Sequence, residues 1–441
     1  MATSFCVIDH GFRFRVLRTS SRQGSRAITH LGAYYLRIVQ HNPRGPVAAG
    51  AAIFVIVVGL LPWPAHARDV RGHVEVRGVF YPALDLTEGR MRLLVRYERA
   101  FGRWQIVASA CGEGIAGTLD RVTSGIVRPL ETFLDYRGSR AEFRVGLSNV
   151  AWGVLDELSP QDVVSPIDVS RFVLDDRAEA RLPVPLARVR LFLPASLTIE
   201  GVVVPLARRG WFDQLDEPHS PFAPPGLYGL PRSEPQFDSD LIEGGVRLRG
   251  SGSGIDWGLS AYRDVVDFDR YEASAAGLTA QRPARWMAGA DVEAALGDWV
   301  LRLDGAAFFD DPLQAGAVPG IVRRDTYSAG VGADRRFGET ALYVNALYTH
   351  VPEDPQLSRD SEVSVFGGLT RDFAQGTRTI RLFGLWGAES ESGFGRLVWD
   401  HELLENLRLD VSGGVFFGDG GTALGAFGDT DFVSARLRIF F

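Results

Sequence analysis

Lysine is absent: all 47 basic residues of this 441-residue chain are arginine, a usage that fits codon bias in a GC-rich genome. Cysteine is almost absent too, with Cys6 and Cys111 the two present. Beyond residue 67 Cys111 stands alone, which excludes a disulfide within that part. Histidine beyond residue 67 occurs at 73, 219, 350 and 401, never as H-E-x-x-H and never with a cysteine pair. No structural or catalytic zinc site, and no other cofactor, is therefore expected. No G-x-S-x-G elbow occurs; Gly250-Ser251-Gly252-Ser253-Gly254 has the wrong spacing and reads as a turn. No apolar run of 18 residues follows Ala67. That excludes a membrane-spanning helix there and leaves a closed barrel as the one way for this part to cross a bilayer.

What is present begins with an unusual leader. Arg13, Arg15, Arg18, Arg22, Arg26, Arg37 and Arg44 face a single acid, Asp9, and precede an apolar run from Val47 to Leu61. Pro62-Trp63-Pro64 then leads to Ala65-His66-Ala67, a small-x-small site. This order describes a cleavable secretory signal with a long basic flank, residues 1–67, cut after Ala67. Without that segment the balance is 40 arginines against 53 acids, net −13.

Residues 68–441 alternate with period two. In Arg90–Glu98, Met91, Leu93, Val95 and Tyr97 share one face and Arg92, Arg96 and Glu98 the other. In Trp299–Phe309, Trp299, Leu301 and Leu303 oppose Arg302 and Asp304. Such alternation predicts strands with one apolar and one wetted face. Eighteen candidates, two of them less distinct, begin at 73–81 and 90–99 and end at 407–417 and 432–441. Tight gaps such as Gly138-Ser139-Arg140, Gly297-Asp298 and Phe337-Gly338-Glu339 alternate with long ones, 112–130, 151–186, 207–241, 266–284, 310–325, 350–361 and 418–431. Short turns alternating with long loops predict an all-β, antiparallel up-and-down transmembrane barrel, with periplasmic turns, extracellular loops and both termini in the periplasm. Fifty glycines, 27 phenylalanines and nine tryptophans suit that architecture. Trp104, Trp257, Trp286, Trp299, Tyr343, Tyr348, Trp386 and Trp399 mostly fall near strand ends, which suits interfacial girdles, with a place in the lumen as the alternative for some of them.

The last strand places Val433, Ala435, Leu437, Ile439 and Phe441 on one face. A terminal aromatic on an amphipathic strand resembles the signal read by the outer-membrane assembly machinery, so Phe441 is the candidate assembly residue. Cys111-Gly112-Glu113-Gly114-Ile115-Ala116-Gly117 has G-x-G-x-x-G spacing, but no helix and no parallel sheet follow it. It reads as a flexible extracellular loop rather than a dinucleotide site. His401 between Asp400 and Glu402 is the one place from which a hydrolase could draw a histidine.

Counted with the short connection between the first two strands, 151–186 is the third extracellular loop; it is rich in acid and stiffened by Pro160, Pro166, Pro183 and Pro185. A third loop that folds into the lumen would narrow it, with Asp156, Glu157, Asp162 and Asp168 along its acidic edge. The wall facing it is read from the alternation: Arg77, Arg92, Arg96, Arg408, Arg436 and Arg438 fall on the first, second, seventeenth and eighteenth strands, which become neighbours on closure. Arg188, Arg190, Arg247 and Arg249 form a second set of rungs. The competing reading pairs these arginines locally with Glu75, Glu98 and Asp410.

The stretch Phe143–Asp168, a strand ending in Trp152-Gly153 and then Asp162-Val163-Val164-Ser165-Pro166-Ile167-Asp168, resembles a segment of a poorly characterised family of Gram-negative outer-membrane proteins. There a Trp-Gly precedes Asp-Val-x-Asn-Pro-x-Asp; this chain has Ser165 in place of the Asn. Leu197–Pro205, with Glu200-Gly201 and Pro205, follows the same pattern. The resemblance implies a porin-like barrel and no particular substrate. The sequence thus predicts a non-enzymatic channel for passive diffusion of small polar or anionic solutes. Its expected partners are outer-membrane lipid and lipopolysaccharide, the barrel-assembly machinery and small solutes, with no nucleic acid; a homo-oligomer is compatible. The rival readings are an export channel for acidic exopolysaccharide and a barrel of structural or hydrolase function. An N-terminal plug domain is not expected, because strands begin close behind Ala67.

Overall fold

The computed structural model describes residues 69–441 apart from 118–121, 157–158, 169–173, 175–176, 211–231, 234–240, 275–276, 317–318 and 358–360; before them it describes 4–9, 13–18 and 36–41. Ser4–Asp9 and Arg13–Arg18 pair antiparallel as a unit of their own. The apolar run of the leader and the cleavage site expected after Ala67 lie outside the described residues.

Eighteen strands form one closed antiparallel barrel. The first nine are β1 (Val70–Tyr81), β2 (Leu86–Phe101), β3 (Trp104–Gly117), β4 (Val122–Arg137), β5 (Ala141–Ser148), β6 (Val184–Leu193), β7 (Leu197–Val204), β8 (Glu243–Gly252) and β9 (Ile255–Val265). The rest are β10 (Ala284–Leu296), β11 (Trp299–Gln314), β12 (Ile321–Phe337), β13 (Thr340–His350), β14 (Glu362–Phe373), β15 (Arg378–Gly387), β16 (Ser392–Leu404), β17 (Leu407–Phe417) and β18 (Phe432–Phe440). Each strand pairs with its successor, and β18 pairs with β1 in the register Arg436 to Arg77. Closure satisfies the backbone of the edge strands, which a bilayer would otherwise leave without partners. Leu36–His41 also pairs antiparallel with Val122–Val127 of β4.

Alternation sorts the side chains by face. Along β1, Val76 and Phe80 are exposed outward while Glu75, Arg77, Val79 and Tyr81 are buried inward. The outer face is an apolar band that includes Val246, Leu259, Leu303, Val331 and Leu397. Aromatics bound it at both ends: Trp104, Trp299, Phe337 and Trp399 beside the turns, and Trp286, Phe309, Tyr348 and Trp386 beside the loops. This is the girdle arrangement of a transmembrane barrel. Tyr343 departs from the expected girdle: it points inward, its ring 5.6 Å from that of Phe366.

Two expected loops are strand. The segment 112–130 contracts to 118–121 because β3 runs to Gly117 and β4 starts at Val122. The glycine motif that reads as a flexible loop is therefore paired with β2, with Arg92 opposite Glu113. Glu113 accepts from Arg90 at 2.6 Å and Arg92 at 3.1 Å, and these inward ion pairs hold a glycine-rich stretch extended. Likewise 310–325 contracts to 315–320, since β11 and β12 extend to Gln314 and from Ile321. Strands of 16 and 17 residues outrun the apolar band, because crossing a bilayer takes about 9–11 residues.

Candidate functional site

The described residues of the third loop, 149–183 between β5 and β6, lie inside the barrel and are fastened to two parts of its wall. The first fastening is to β9–β11. Asp304 of β11 accepts from the backbone N–H groups of Val154 at 2.9 Å and Leu155 at 3.3 Å, from the Ser159 hydroxyl at 2.8 Å and from Gln161 Nε2 at 2.6 Å. Gln161 is fully buried; its Nε2 also lies 3.2 Å from Asp291, and its Oε1 accepts from Ser260 at 2.5 Å. Gly289 is what admits the Gln161 side chain, since a Cβ there would overlap it. Asp291 in turn is held by Arg247 at 2.8 Å. Buried polar groups this completely partnered fix a loop in one place, because releasing any one strands several others.

An apolar core reinforces that anchor. Val150, Trp152, Val163 and Val164 of the loop pack with Val184, Leu186, Val202, Val204, Tyr262, Met287 and Phe308 of the inner wall. Trp152 meets Tyr262 edge-on with ring centroids 5.3 Å apart, and its Nε1 donates to Glu200 at 2.7 Å. Gly153 follows with φ +85°, and a Cβ at that point would overlap the Ser159 hydroxyl and the Asp304 carboxylate. The Trp-Gly pair is thus a side chain inserted into the wall followed by a left-handed turn that only glycine enters without strain. Downstream, the Ser165 hydroxyl accepts from Val150 N at 2.9 Å. Leu182 N donates to Pro166 O at 2.8 Å and Asp168 N to Ala180 O at 2.7 Å, zipping the loop's two arms together.

The second fastening is to the closing seam, where side chains from five strands make two adjacent rungs. One rung carries Arg408, Arg438, Glu75, Arg92 and Glu113; the next carries Asp410, Arg436, Arg77 and Arg90. Arg77, Arg92 and Arg436 are buried, and Arg438 is nearly so. Arg96 and Arg408 sit nearer the short-turn end of the barrel, pairing with Glu98 and Glu131, and with Glu402. Of the six predicted arginines, Arg77, Arg92, Arg436 and Arg438 lie side by side on two neighbouring rungs, Arg408 ends one of these rungs, and Arg96 is set apart from them. Among them stand acids: Arg436 lies 2.9 Å from Asp410, and Arg77 lies 3.3 Å from Glu75. The arrangement is a mixed lattice rather than a purely basic stripe, as the local-pairing reading expects. Of the second set of rungs, Arg190 reaches Glu142 at 3.0 Å and Arg247 reaches Asp291.

The expected acidic edge does not face this lattice as a row. Asp156 lies 3.5 Å from Arg302 of β11, a residue that also binds Glu293 at 2.7 Å and Asp334. Asp162 pairs with Arg181 inside the loop at 2.5 Å, bracing one arm on the other. Asp168 reaches the wall at Arg128 of β4, 2.9 Å away. Glu157 lies outside the described residues. The loop acid that enters the seam is Glu179, in the single helical turn Arg177–Ala180, with Arg92, Arg436 and Arg438 at 3.5–3.7 Å. The loop backbone joins it, Leu174 O accepting from Arg77 at 3.2 Å. Glu179 sits between Arg177 and Arg181 in sequence, so it reads there as part of a locally neutral run. Asp304 and Asp291 have the inward strand parity, but nothing in the sequence marks which loop atoms they receive.

Between the loop and β9–β13 lies a polar cavity of about 310 Å³, lined in part by Asp162, Asp264, Asp267, Arg285, Asp311 and Thr349. Burial, and then Asp264 beside it, pushes the Asp267 carboxyl well above the usual carboxylate range. Further round, the inward faces of β13–β15 carry Tyr343, Leu347, Ser364, Thr370 and Thr379, half-buried where the wall under the loop core is fully covered. His401 points outward, its ring 5.4 Å from that of Trp399, while Asp400 and Glu402 on either side turn inward. The strand therefore turns His401 away from the two acids beside it in sequence. Among the described residues no group of three or more His, Cys, Asp or Glu is placed to hold a metal ion.

No family model matches the chain, and no curated protein does. Among solved structures, the chain is similar to OccK5 (OpdH) of Pseudomonas aeruginosa at 11% identity, covering 84% of this chain and 96% of that one, with a TM-score of 0.48. OccK2 (OpdF) of the same organism, in complex with glucuronate, matches at 14% identity over 85% and 97%, TM-score 0.47. Wzi of Escherichia coli, an outer-membrane protein involved in group 1 capsule assembly and a carbohydrate-binding β-barrel, matches at 12% identity over 90% and 89%, TM-score 0.47. Identity at this level speaks to the fold alone.

Proposed function

We propose that this outer-membrane barrel is a channel for passive diffusion of small polar or anionic solutes, narrowed by its third loop. The observation that carries the reading is the loop's course: it is fastened inside the lumen on β9–β11 and again on the seam, instead of capping the mouth. A loop so placed divides the cross-section and leaves a slot bounded by the half-buried polar faces of β13–β15 and the arginine-bearing seam. Size selection would come from the slot and charge selection from the seam. A strut across the lumen also opposes threading of a polymer, which disfavours the exopolysaccharide-export reading. Single-channel recording in planar bilayers tests the proposal, with steps of defined conductance and a preference for anions expected. A barrel that passes no current sinks the channel; a cation preference removes the seam as the selective element.

Export by a signal cleaved after Ala67 and membership of the Trp-Gly family belong to the same proposal. So does assembly through the last strand. Phe441 exchanges backbone hydrogen bonds with Gly72 at 2.9 and 3.0 Å, and its ring lies over that glycine, where a Cβ would collide with it. The terminal aromatic therefore also covers the start of β1. Phe441→Ser is expected to lower the yield of heat-modifiable barrel in outer-membrane fractions severalfold while leaving refolding in detergent nearly intact. Equal membrane yield would remove Phe441 as an assembly signal.

A further inference from the structure

The ion pairs of the lumen fall into two kinds. Some are close: Arg90 to Glu113 at 2.6 Å, Arg247 to Asp291 at 2.8 Å, Arg128 to Asp168 at 2.9 Å and Arg436 to Asp410 at 2.9 Å. Others are longer, such as Arg77 to Glu75 at 3.3 Å and Arg381 to Asp410 at 3.7 Å. Glu179 is of the longer kind. Its carboxylate sits among three guanidinium groups, Arg92 Nη1 at 3.7 Å, Arg436 Nη1 at 3.5 Å and Arg438 Nη1 at 3.6 Å, and its side chain is 33% exposed. Charge-assisted N–H to O contacts settle at about 2.7–2.9 Å when geometry allows. A carboxylate hung from a loop cannot approach three separate wall arginines that closely at once.

The three cations are not equally engaged. Arg92 is also held by Glu113 at 3.1 Å, and Arg436 by Asp410 and, at 3.7 Å, by Glu75. Arg438 has ion-pair distances of 3.6 Å to Glu179 and 3.7 Å to Asp400, and its buried Nε makes no hydrogen bond among the described residues. Side-chain exposure of Arg438 is 14%, so it is shielded from bulk water yet reachable from the lumen. The site therefore brings three guanidinium groups within 3.7 Å of one carboxylate, which meets just one of them, Arg436, in a hydrogen bond of 3.5 Å.

We infer that Arg92, Arg436 and Arg438 form a binding subsite for the carboxylate of a small anionic solute, and that Glu179 is its displaceable internal stand-in. A free carboxylate can turn both oxygens into the guanidinium fork, which the tethered Glu179 cannot. Its arrival frees the helical turn Arg177–Ala180 from the seam and loosens that end of the loop. The inference rests on the channel reading for its physiological sense, but its test does not require current to flow. An internal competitor at millimolar or higher effective concentration weakens the apparent affinity for an external one, and removing it restores that affinity.

The probe is trifluoroacetate, with trifluoroacetamide as neutral control, titrated against the full chain refolded in detergent and followed by ¹⁹F line broadening. Glu179→Gln is expected to bind trifluoroacetate about three- to tenfold more tightly than the native chain. Arg438→Gln is expected to bind it about tenfold more weakly, the loss of one charge-assisted contact. Trifluoroacetamide should respond to neither. Heat-modifiability on gels verifies that each variant is a folded barrel, and Glu179→Ala serves as a second version of the first. Unchanged or weaker binding by both Glu179 variants makes Glu179 a structural tether and overturns the inference; so does unchanged binding by Arg438→Gln. Binding as expected with no bilayer conductance would sink the channel alone, and conductance without binding would sink the subsite alone.

Discussion

Asp304→Leu is expected to raise single-channel conductance severalfold without dissolving the barrel. The carboxylate it removes is the shared acceptor for Val154 N, Leu155 N, Ser159 and Gln161, all on the third loop. Each donor left unsatisfied in a buried place costs about 1–3 kcal/mol. Val154 N and Leu155 N lose their acceptor outright, while Ser159 and Gln161 keep only Trp152 O and Asp291, so the penalty rivals the roughly 3–5 kcal/mol that a buried tryptophan such as Trp152 supplies. The loop then leaves β11, while the wall, whose strands are paired independently of it, stays closed. Gly153→Val should give the same result by another route, because its side chain displaces the Ser159 hydroxyl and the Asp304 carboxylate from the turn. If both variants conduct as the native barrel does, the loop is not the constriction, and the proposed slot is wrong.

Arg436→Met tests the seam. Arg436 is 2% exposed and lies 2.9 Å from Asp410 and 3.7 Å from Glu75, both as deeply buried. Methionine of similar reach fills the space but leaves two buried carboxylates short of their central cation. Breaking a buried pair from one side costs about 3–5 kcal/mol. The expected result is a large drop in the urea midpoint of refolded barrels in lipid, with the slope unchanged. Adding Asp410→Leu should recover a good part of the loss, since replacing both partners with apolar groups is far less costly than orphaning one. A single variant as stable as the native chain would show that Arg77, 3.3 Å from Glu75, and Arg381 of β15, 3.7 Å from Asp410, suffice for those acids. In that case the lattice is redundant at its centre.

The barrel itself is legible in the sequence, and particular strands show why. Each of the eighteen alternating segments corresponds to one observed strand, because lipid on one side and water on the other impose period two all along. The turn ends are also legible, since Gly297-Asp298 or Gly338-Glu339 leave room for nothing but a tight reversal. The loop ends of strands are not. Beyond the apolar band the outward face no longer needs to be greasy, so Gly112–Gly117 looks like loop although Glu113 pins it between two arginines. Within the third loop the same limit operates at the level of partners. Trp152, Gly153 and Ser165 stand out as a pattern, and their contacts account for it. Asp156, Asp162 and Asp168 stand out merely as charges, and each found a different arginine. Which acid would reach the seam depended on where one helical turn was carried by the zipped arms Pro166–Leu182 and Asp168–Ala180. No local signal encodes that.

The two fastenings of the third loop have a mechanical meaning as well as a selective one. Asp304 on β11 and Arg436 on β18 are seven strands apart round a wall of eighteen. A segment tied at both points works as a tie-rod across a thin-walled tube. Flattening the tube along one diameter stretches or compresses the rod, so the loop sets the roundness of the cross-section. Lateral pressure in the surrounding lipid is then transmitted to the rod ends, and whatever loosens one end softens the whole ring.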